Sequence, residues 1–229
     1  ESPVFNRHHR HELESKSPFH LDFPADLPTV EQIKSHPKLQ LDDRQTLCFY
    51  ILATAFFQEI SKDGSEEEIH PDDLHLLEHE VEPQLLMHIA GKAGQFSPTA
   101  PNTSLINPFF SGTGKSRVLK AFRTLAAVYK RSEWILACAP TGCAAGNVGG
   151  LTCHSMGALN SSADVRRKNR HHRLRHGRFF IIDEISMTAA DVLGKLSEQM
   201  ALAKGQTKLF GGGQLVLLLP PPPQIGRGA

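Results

Sequence analysis

The 229-residue sequence is poor in cysteine and has no long apolar run, and each deficit argues against a class of protein. Four cysteines do not make a disulfide scaffold on a chain of this size, and none follow Cys-x-x-Cys spacing. A zinc site is therefore disfavoured, and a reducing intracellular compartment is indicated. The longest apolar candidate, residues 215–219, runs into four prolines and is far shorter than the ~20 residues of a membrane span. We expect a soluble globular protein with no membrane partner.

Net charge is almost absent as well. Lys and Arg number 25 and Asp and Glu 24, so the formal charge of +1 argues neither for nor against a nucleic-acid partner. The length corresponds to about one and a half domains of ~150 residues. Because the sequence begins with Glu1 and carries no signal-peptide pattern, we expect it to be a piece of a longer protein.

Proline is nearly missing from the central part of the chain. Of the 15 prolines, only Pro140 falls between Phe109 and Leu219, whereas five lie in the first forty residues. Residues 1–40 are therefore predicted to form an irregular N-terminal arm, with one short helix near Val30–Ser35.

Short apolar runs alternate with amphipathic stretches along the rest of the chain. The patterns predict buried strands at 85–90, 134–139, 179–182 and 214–219, and helices at 45–60, at 116–131 and around 193–203. The acidic segment 61–82 is predicted to be a solvated connector or a surface helix. This alternation is typical of an α/β fold with a largely parallel sheet flanked by helices.

The sequence contains the two halves of a phosphate-binding loop, separated from each other. Residues 112–116 read Gly-Thr-Gly-Lys-Ser and lead directly into a predicted helix, where backbone amides, a lysine and a hydroxyl can hold phosphates and magnesium. The full pattern GxxxxGK[ST] requires a glycine five residues before Gly114, but Phe109 occupies that position. The uninterrupted sequence around Lys115 therefore does not match the full pattern.

One excision repairs the motif. Removing residues 95–112 joins Gly94 to Thr113 and gives Gly-Lys-Ala-Gly-Thr-Gly-Lys-Ser, which begins at Gly91 and follows a predicted strand. The removed segment is rich in Pro, Ser and Asn, and we interpret it as a retained in-frame intron. A genuine surface insertion is the alternative, since loops tolerate insertions well.

An acidic pair follows another apolar strand. Asp183 and Glu184 come directly after the run Phe179–Ile182. In a phosphate-loop NTPase such an aspartate holds the magnesium ion, and the glutamate orients or deprotonates the attacking water. By itself the pair is weak evidence, but it gains weight from a phosphate loop about seventy residues upstream.

Several ordered motifs resemble the Pif-one (petite integration frequency) group of superfamily-one DNA helicases, which is related to the RecD-type enzymes. Residues 41–45 match the family's adenine-reading pattern L-[ND]-x-x-Q, 139–145 its APTG-x-AA motif and 152–155 its TxHS motif. Residues 183–187 and 210–212 also match family forms, and the resemblance runs from about Leu41 to Leu217.

The resemblance implies a RecA-like P-loop NTPase domain over residues 41–219. It gives Gln45 a contact with adenine, and it assigns single-stranded-DNA contacts to Thr141, Thr152, His154 and Ser155. The nucleotide site is assigned to Gly91, Gly94, Thr113, Gly114, Lys115 and Ser116, with Ser116 and Asp183 holding Mg²⁺. Lys115, Asp183 and Glu184 are the residues assigned to catalysis.

The same resemblance implies an ATP-dependent helicase that moves 5′ to 3′ and acts on single-stranded or forked DNA. It also implies nuclear localisation, with the mitochondrion as the alternative, and roles in DNA repair, recombination and telomere maintenance. It leaves the oligomeric state open. A basic stretch, 166–178, holds seven cationic residues in thirteen and is predicted either to neutralise DNA phosphates or to form a solvated loop.

The end of the sequence departs from the family pattern. The family continues after its last strand with Gly-Asp-x-x-Gln-Leu-Pro-Pro, whereas residues 217–224 read Leu-Leu-Leu-Pro-Pro-Pro-Pro-Gln and contain no acid. We interpret 220–229 as an aberrant tail and find no counterpart of the second RecA-like domain with its arginine finger. The 229-residue chain is therefore predicted not to work as a helicase.

Two further functions remain as alternatives. One is a non-catalytic single-stranded-DNA-binding remnant of a helicase. The other is an unrelated phosphate-loop enzyme, such as a kinase or a AAA-type ATPase. The APTG and TxHS motifs argue against this second alternative.

Overall fold

The computed structural model describes residues 21, 28–64, 69–78, 85–89, 114–157 and 172–218. The segment 95–112, the tail 220–229 and residues 166–171 of the basic stretch lie outside these residues. None of the described helices has the length and apolar composition needed to cross a membrane.

Helices and strands alternate along the described chain, as the sequence predicts. The α-helices are α1 (Val30–Ser35), α2 (Asp43–Asp63), α3 (Lys115–Val128), α4 (Gly142–Asn147), α5 (Cys153–Gly157) and α6 (Ala190–Lys204). Residues 172–176 are also helical. Short 3-10 helices occupy Pro71–Glu78, Ser132–Trp134, Ile185–Met187 and Leu209–Gly212. The strands are β1 (Leu86–Ile89), β2 (Ile135–Ala139), β3 (Leu151–Thr152), β4 (Phe179–Ile182) and β5 (Gln214–Leu218).

In the described part of the chain, the five strands form one parallel sheet in the order β1-β5-β4-β2-β3. From β1 the chain crosses to β2 and β3 at the far side, and then returns to fill the gap with β4 and β5. Parallel strands need such crossovers, which the helices supply. The α/β fold with a largely parallel sheet is confirmed, and the predicted strands are present to within about one residue at each end.

Helices cover both faces of the sheet. Alternate residues of β2 and β4 belong to two different core clusters. Ile135, Ala137, Phe179 and Ile181 pack with α2 and α3, while the intervening residues pack with α5 and α6. Both strands are buried along their whole length, which explains why they read as continuous apolar runs rather than as an alternating pattern.

The last part of the predicted arm packs into the domain. The short helix predicted at Val30–Ser35 is present and begins with a capping box between Thr29 and Gln32. Val30, Ile33 and Leu39 are fully buried in the cluster that contains α2 and α3. The packed core therefore includes residues on the N-terminal side of the predicted boundary at 40/41.

Asp73 differs from its prediction. The acidic segment was expected to be solvated, but Asp73 lies in the 3-10 helix Pro71–Glu78 and is buried. Both carboxylate oxygens accept from the Val30 backbone N–H, at 3.1 and 3.3 Å. The expectation of solvation is wrong at this residue because the carboxylate caps the first turn of α1, where helix amides have no partner within the helix.

Candidate functional site

The candidate residues gather at one edge of the sheet. In a parallel sheet the carboxyl ends of all strands lie at the same edge, where ligands of open α/β folds bind. Asp183 follows β4, Thr141 follows β2, Thr152 ends β3, and α3 is the first described helix after β1. Residues that are far apart in sequence are therefore brought together.

The second half of the phosphate motif begins α3. Gly114 is the N-cap, at φ +78°, and no side chain caps the helix there. Lys115 is partly buried at the first helical position, and Ser116 beside it is exposed. Uncapped amides, a cation and a hydroxyl at one helix start are the groups that hold a phosphate and its metal ion.

Gln45 lies against this helix start. Its N–H is capped by the Asp42 carboxylate at 2.9 Å, and its side-chain oxygen accepts from the Asp42 N–H at 3.2 Å, a reciprocal capping box. A Cβ added at Gly114 would overlap the Gln45 amide nitrogen. Gly114 is therefore required both for its left-handed backbone and for the close approach of Gln45.

The acidic pair occupies a strained turn after β4. The Asp183 N–H donates to the Cys138 carbonyl at 2.9 Å, which extends the pairing of β4 with β2. The Glu184 N–H donates to Asp183 Oδ1 at 3.0 Å, and Glu184 itself has φ +51°. A left-handed conformation is costly for a non-glycine residue and is concentrated at functional sites.

Lys115 and the acidic pair interact electrostatically. Burial lowers the pKa of Lys115, and the charges of Asp183 and Glu184 oppose this effect. Burial raises the pKa of Asp183, against the opposing effects of the Glu184 N–H and of Lys115. The cation and the carboxylate are thus partly desolvated and near each other.

The residues predicted to hold magnesium suit that ion. Ser116 and Asp183 supply oxygen ligands, and Mg²⁺ binds proteins through one or two such groups together with water and phosphate oxygens. Among the described residues, no group of three or more His, Cys, Asp or Glu side chains could hold a metal ion by itself. A magnesium ion held here would complete its shell with water and phosphate oxygens.

The residues predicted to contact DNA form a second group beside the first. Thr141 is exposed and its hydroxyl caps α4 by accepting from the Ala144 N–H at 3.2 Å. Thr152 is paired in register with Ala139, and its hydroxyl donates to Ser155 Oγ at 2.9 Å. His154 and Ser155 are exposed on α5. The two motifs are therefore neighbours on the sheet edge, although eleven positions separate Thr141 from Thr152.

Three predicted nucleotide ligands, Gly91, Gly94 and Thr113, lie outside the described residues. Their assignments remain predictions from the sequence.

Arg123 is a structural link that the sequence analysis did not identify. It lies on α3, and its guanidinium donates to the Val148 carbonyl at 2.7 Å and to the Gly149 carbonyl at 3.4 Å. Burial lowers its pKa to about 10. It joins the helix that begins with Lys115 to the turn that enters β3 and Thr152. An arginine in an amphipathic helix gives no sequence signal for such a contact.

Solved structures of similar proteins are Pif1 helicases. A Pif1 helicase from Candida albicans is 27% identical, with a TM-score of 0.44, and the match covers 68% of this chain and 34% of that one. A Bacteroides Pif1 helicase in complex with ADP-AlF3 and ssDNA is 22% identical, also with a TM-score of 0.44 and the same coverages.

Curated relatives carry the name ATP-dependent DNA helicase PIF1. The Danio rerio protein is 34% identical over 148 residues, which is 59% of this chain and 22% of that protein. The human protein is 35% identical over 115 residues, or 47% of this chain and 17% of that protein. The chain thus spans about a fifth of the length of these relatives.

A protein-family model described as PIF1-like helicase matches residues 102–219, just over half of the chain. The match includes Lys115, the APTG and TxHS motifs and the acidic pair, and it ends at Leu219, directly before the four prolines. The chain belongs to the PIF1-like helicase family.

Proposed function

We propose that this domain is the first motor domain of an ATP-dependent DNA helicase of the 5′-to-3′ type. It would bind ATP with Mg²⁺ and couple hydrolysis to movement along single-stranded or forked DNA in the nucleus or the mitochondrion. The observation that carries the proposal is the meeting of Gln45, Gly114, Lys115 and the acidic pair at one edge of the sheet. Gln45 and Asp183 are 138 positions apart, so the fold is what brings them together.

Each residue has a proposed role. Gln45 contacts adenine, the loop amides at Gly91, Gly94, Thr113 and Gly114 surround the phosphates, and Lys115 neutralises the β- and γ-phosphates. The magnesium ion, held by Ser116 and Asp183, offsets charge that develops during phosphoryl transfer. Glu184 orients the attacking water, and its left-handed backbone is a conformation that is concentrated at functional sites.

DNA contacts are proposed for Thr141, Thr152, His154 and Ser155. Support comes from the exposure of Thr141, His154 and Ser155, and from the hydrogen bonds that fix Thr141 at the start of α4 and Thr152 against Ser155. Small polar side chains of this kind bind the sugar-phosphate backbone and carry little sequence preference.

The 229-residue polypeptide alone is expected not to unwind DNA. In related NTPases an arginine finger contributes about 10³–10⁵ in rate, and this chain spans only about a fifth of its curated relatives. The interrupted phosphate loop should weaken nucleotide binding further.

Nucleotide binding tests the proposal directly. A fluorescent ATP analogue should bind the purified chain with Mg²⁺, and Lys115→Ala should remove the binding, because the outer phosphates lose their counter-charge. Lys120→Ala on the same helix is the matched control and should leave affinity within twofold. Equal affinity for the wild-type and the Lys115→Ala proteins would contradict the proposal.

A single-stranded-DNA-binding remnant is the second candidate. It is favoured by a difference between the two sets of motifs. Both DNA motifs match the family pattern without interruption and lie together in the fold, whereas the phosphate loop is interrupted in the sequence. Fluorescence anisotropy with a labelled oligonucleotide separates the two functions. Binding that is unchanged by ATP and survives Lys115→Ala indicates the remnant, and binding that changes with ATP indicates the motor domain.

A further inference from the structure

Two thiols that the proposed function does not use lie side by side beneath the DNA motifs. Cys138 is the fourth residue of β2, and Cys153 is the first residue of α5. Their Sγ atoms are 3.4 Å apart, and the two residues are only 2% and 0% exposed. The other cysteines differ: Cys48 is on α2, which packs on the opposite face of the sheet, and Cys143 is exposed.

The backbone already holds the pair close together. Cys138 is in register with Leu151 and Ala139 with Thr152, so the chain enters α5 directly beside the end of β2. A disulfide has an S–S length of about 2.05 Å, so the sulfurs need to approach by about 1.4 Å. Rotation of the two side chains would supply that movement.

The hydrogen bond between the thiols makes them chemically unequal. The Sγ atoms of Cys153 and Cys138 are hydrogen-bonded to each other, and this contact lowers the pKa of Cys153 and raises that of Cys138. A thiolate is the form of cysteine that reacts with peroxides and disulfides. Cys153 begins α5 beside the exposed His154 and Ser155, whereas Cys138 lies within the fully buried β2. Cys153 is therefore the thiol that a peroxide reaches first, with Cys138 in place as the resolving thiol.

We propose that Cys138 and Cys153 form a reversible intrachain disulfide when the folded protein meets a hydroperoxide. The Cys153 sulfur attacks the peroxide oxygen, so the O–O bond breaks and one molecule of water (or alcohol) leaves. The Cys138 sulfur then displaces hydroxide from the resulting sulfenic acid and releases a second water. Two thiols are oxidised to one disulfide, and the peroxide is reduced.

The bond would connect the two segments proposed to contact DNA. It encloses residues 139–152, which include Thr141, α4 and Thr152, and it attaches the start of α5 to β2. His154 and Ser155 follow Cys153 directly and are exposed, so a small opening of the first turn of α5 brings the peroxide to the sulfur. The chemistry itself does not depend on ATP or DNA binding.

The test uses the full chain with Cys48→Ser and Cys143→Ser, which leaves only the pair. After hydrogen peroxide treatment and alkylation, we expect loss of both free thiols, loss of two hydrogens in intact mass and a peptide linking Cys138 to Cys153. A thiol reductant should restore both thiols. The oxidised protein should also unfold at a higher temperature than the reduced protein, because the closed loop restricts the unfolded chain.

Single replacements serve as controls and assign the order of reaction. With Cys138→Ser added, Cys153 should accumulate as a sulfenic acid that dimedone traps. With Cys153→Ser added, Cys138 should react much more slowly. Circular dichroism verifies that each variant is folded. The proposal fails if both thiols stay reduced in the folded protein at peroxide doses that oxidise exposed Cys143 in the wild-type chain, or if the linkage forms only in denaturant.

Discussion

At Asp183, burial opposes the charge that the proposed magnesium site requires. The pKa of this carboxyl group is raised by burial, and the Lys115 ammonium and the Glu184 N–H reverse this shift only in part. A carboxyl group whose pKa is higher in the folded state stabilises the fold below its unfolded pKa and loses that contribution as pH rises through the folded value. At neutral pH, the ionised Asp183 therefore costs stability in the protein without nucleotide.

Asp183→Asn should consequently stabilise the chain while removing its function. At pH 7 we expect a gain of about 0.5 kcal/mol in unfolding free energy, kept small by solvent screening of a half-buried group. The gain should vanish as pH falls below about 4, the ordinary pKa of Asp, because the wild-type carboxyl group is then neutral too. Magnesium-dependent nucleotide binding should be lost at every pH.

Urea unfolding of both proteins across this pH range measures the effect. Asp191→Asn is the matched control, because Asp191 is exposed on α6 and pairs with Lys195 one turn away. That variant should change stability little at any pH. A destabilised Asp183→Asn protein at pH 7 would show that attraction to Lys115 outweighs burial.

Among the helices and strands, apolar periodicity predicted the architecture well. β2 and β4 read as short buried runs, and α3 as an amphipathic helix, because each element buries a continuous face against the others. Periodicity carried no information on Asp73 or Arg123. Each is a charged side chain whose partners are distant backbone groups, and such pairings arise only in the folded chain.

An aromatic cluster packs α2 and α3 against the sheet. Phe56 is fully buried, and its ring centroid lies 5.6–6.2 Å from those of Phe122, Trp134 and Phe179. Phe56→Ala should therefore destabilise the domain by about 3–5 kcal/mol, since the neighbouring rings cannot fill the space. Leu47→Ala on the same helix is the control. Leu47 is 61% exposed, and its removal should cost no more than about 0.5 kcal/mol in urea unfolding.

Arg123 joins α3 to the turn that leads into β3. Arg123→Met keeps much of the side-chain volume but removes the bonds to the Val148 and Gly149 carbonyls, so we expect a loss of about 1–2 kcal/mol. The amides of 148–150 should exchange hydrogen faster, which mass spectrometry resolves by peptide.

Arg117→Met is the matched control for Arg123, because Arg117 lies on the same helix but is exposed and makes one long bond, 3.5 Å, to the Gln40 carbonyl. Its stability and its exchange at 148–150 should match the wild-type protein. Equal exchange in the two variants would mean that the turn holds its shape without Arg123.

At the scale of the whole molecule, the sequence predicted which residues lie together at one sheet edge better than it predicted their electrostatic and backbone details. Ordered motifs indicated Gln45, Lys115 and Asp183, and the structure places them at one sheet edge. The contact of Gln45 with Gly114, the left-handed backbone of Glu184 and the thiol pair depend on distances across the fold. No local pattern encodes those distances.

The phosphate motif is interrupted between β1 and α3. β1 ends at Ile89 and α3 begins at Lys115, so the structure has the strand and the helix that a phosphate loop joins. As written, residues 90–114 separate them. Without 95–112 only seven residues would remain (90–94, 113 and 114), and they would contain the complete GxxxxGKS pattern with Lys115 and Ser116.

Deleting 95–112 should therefore raise nucleotide affinity. A short loop places successive backbone amides around the phosphates, and we expect tighter binding of a fluorescent ATP analogue by about tenfold or more, equivalent to roughly 1.4 kcal/mol. The gain should disappear when Lys115→Ala is added, which separates a repaired site from nonspecific binding. If the segment is instead a genuine part of the folded domain, the deletion will lower the unfolding temperature and leave affinity unchanged or weaker. Dominance of the shorter form in the spliced transcript would independently identify the segment as a retained intron.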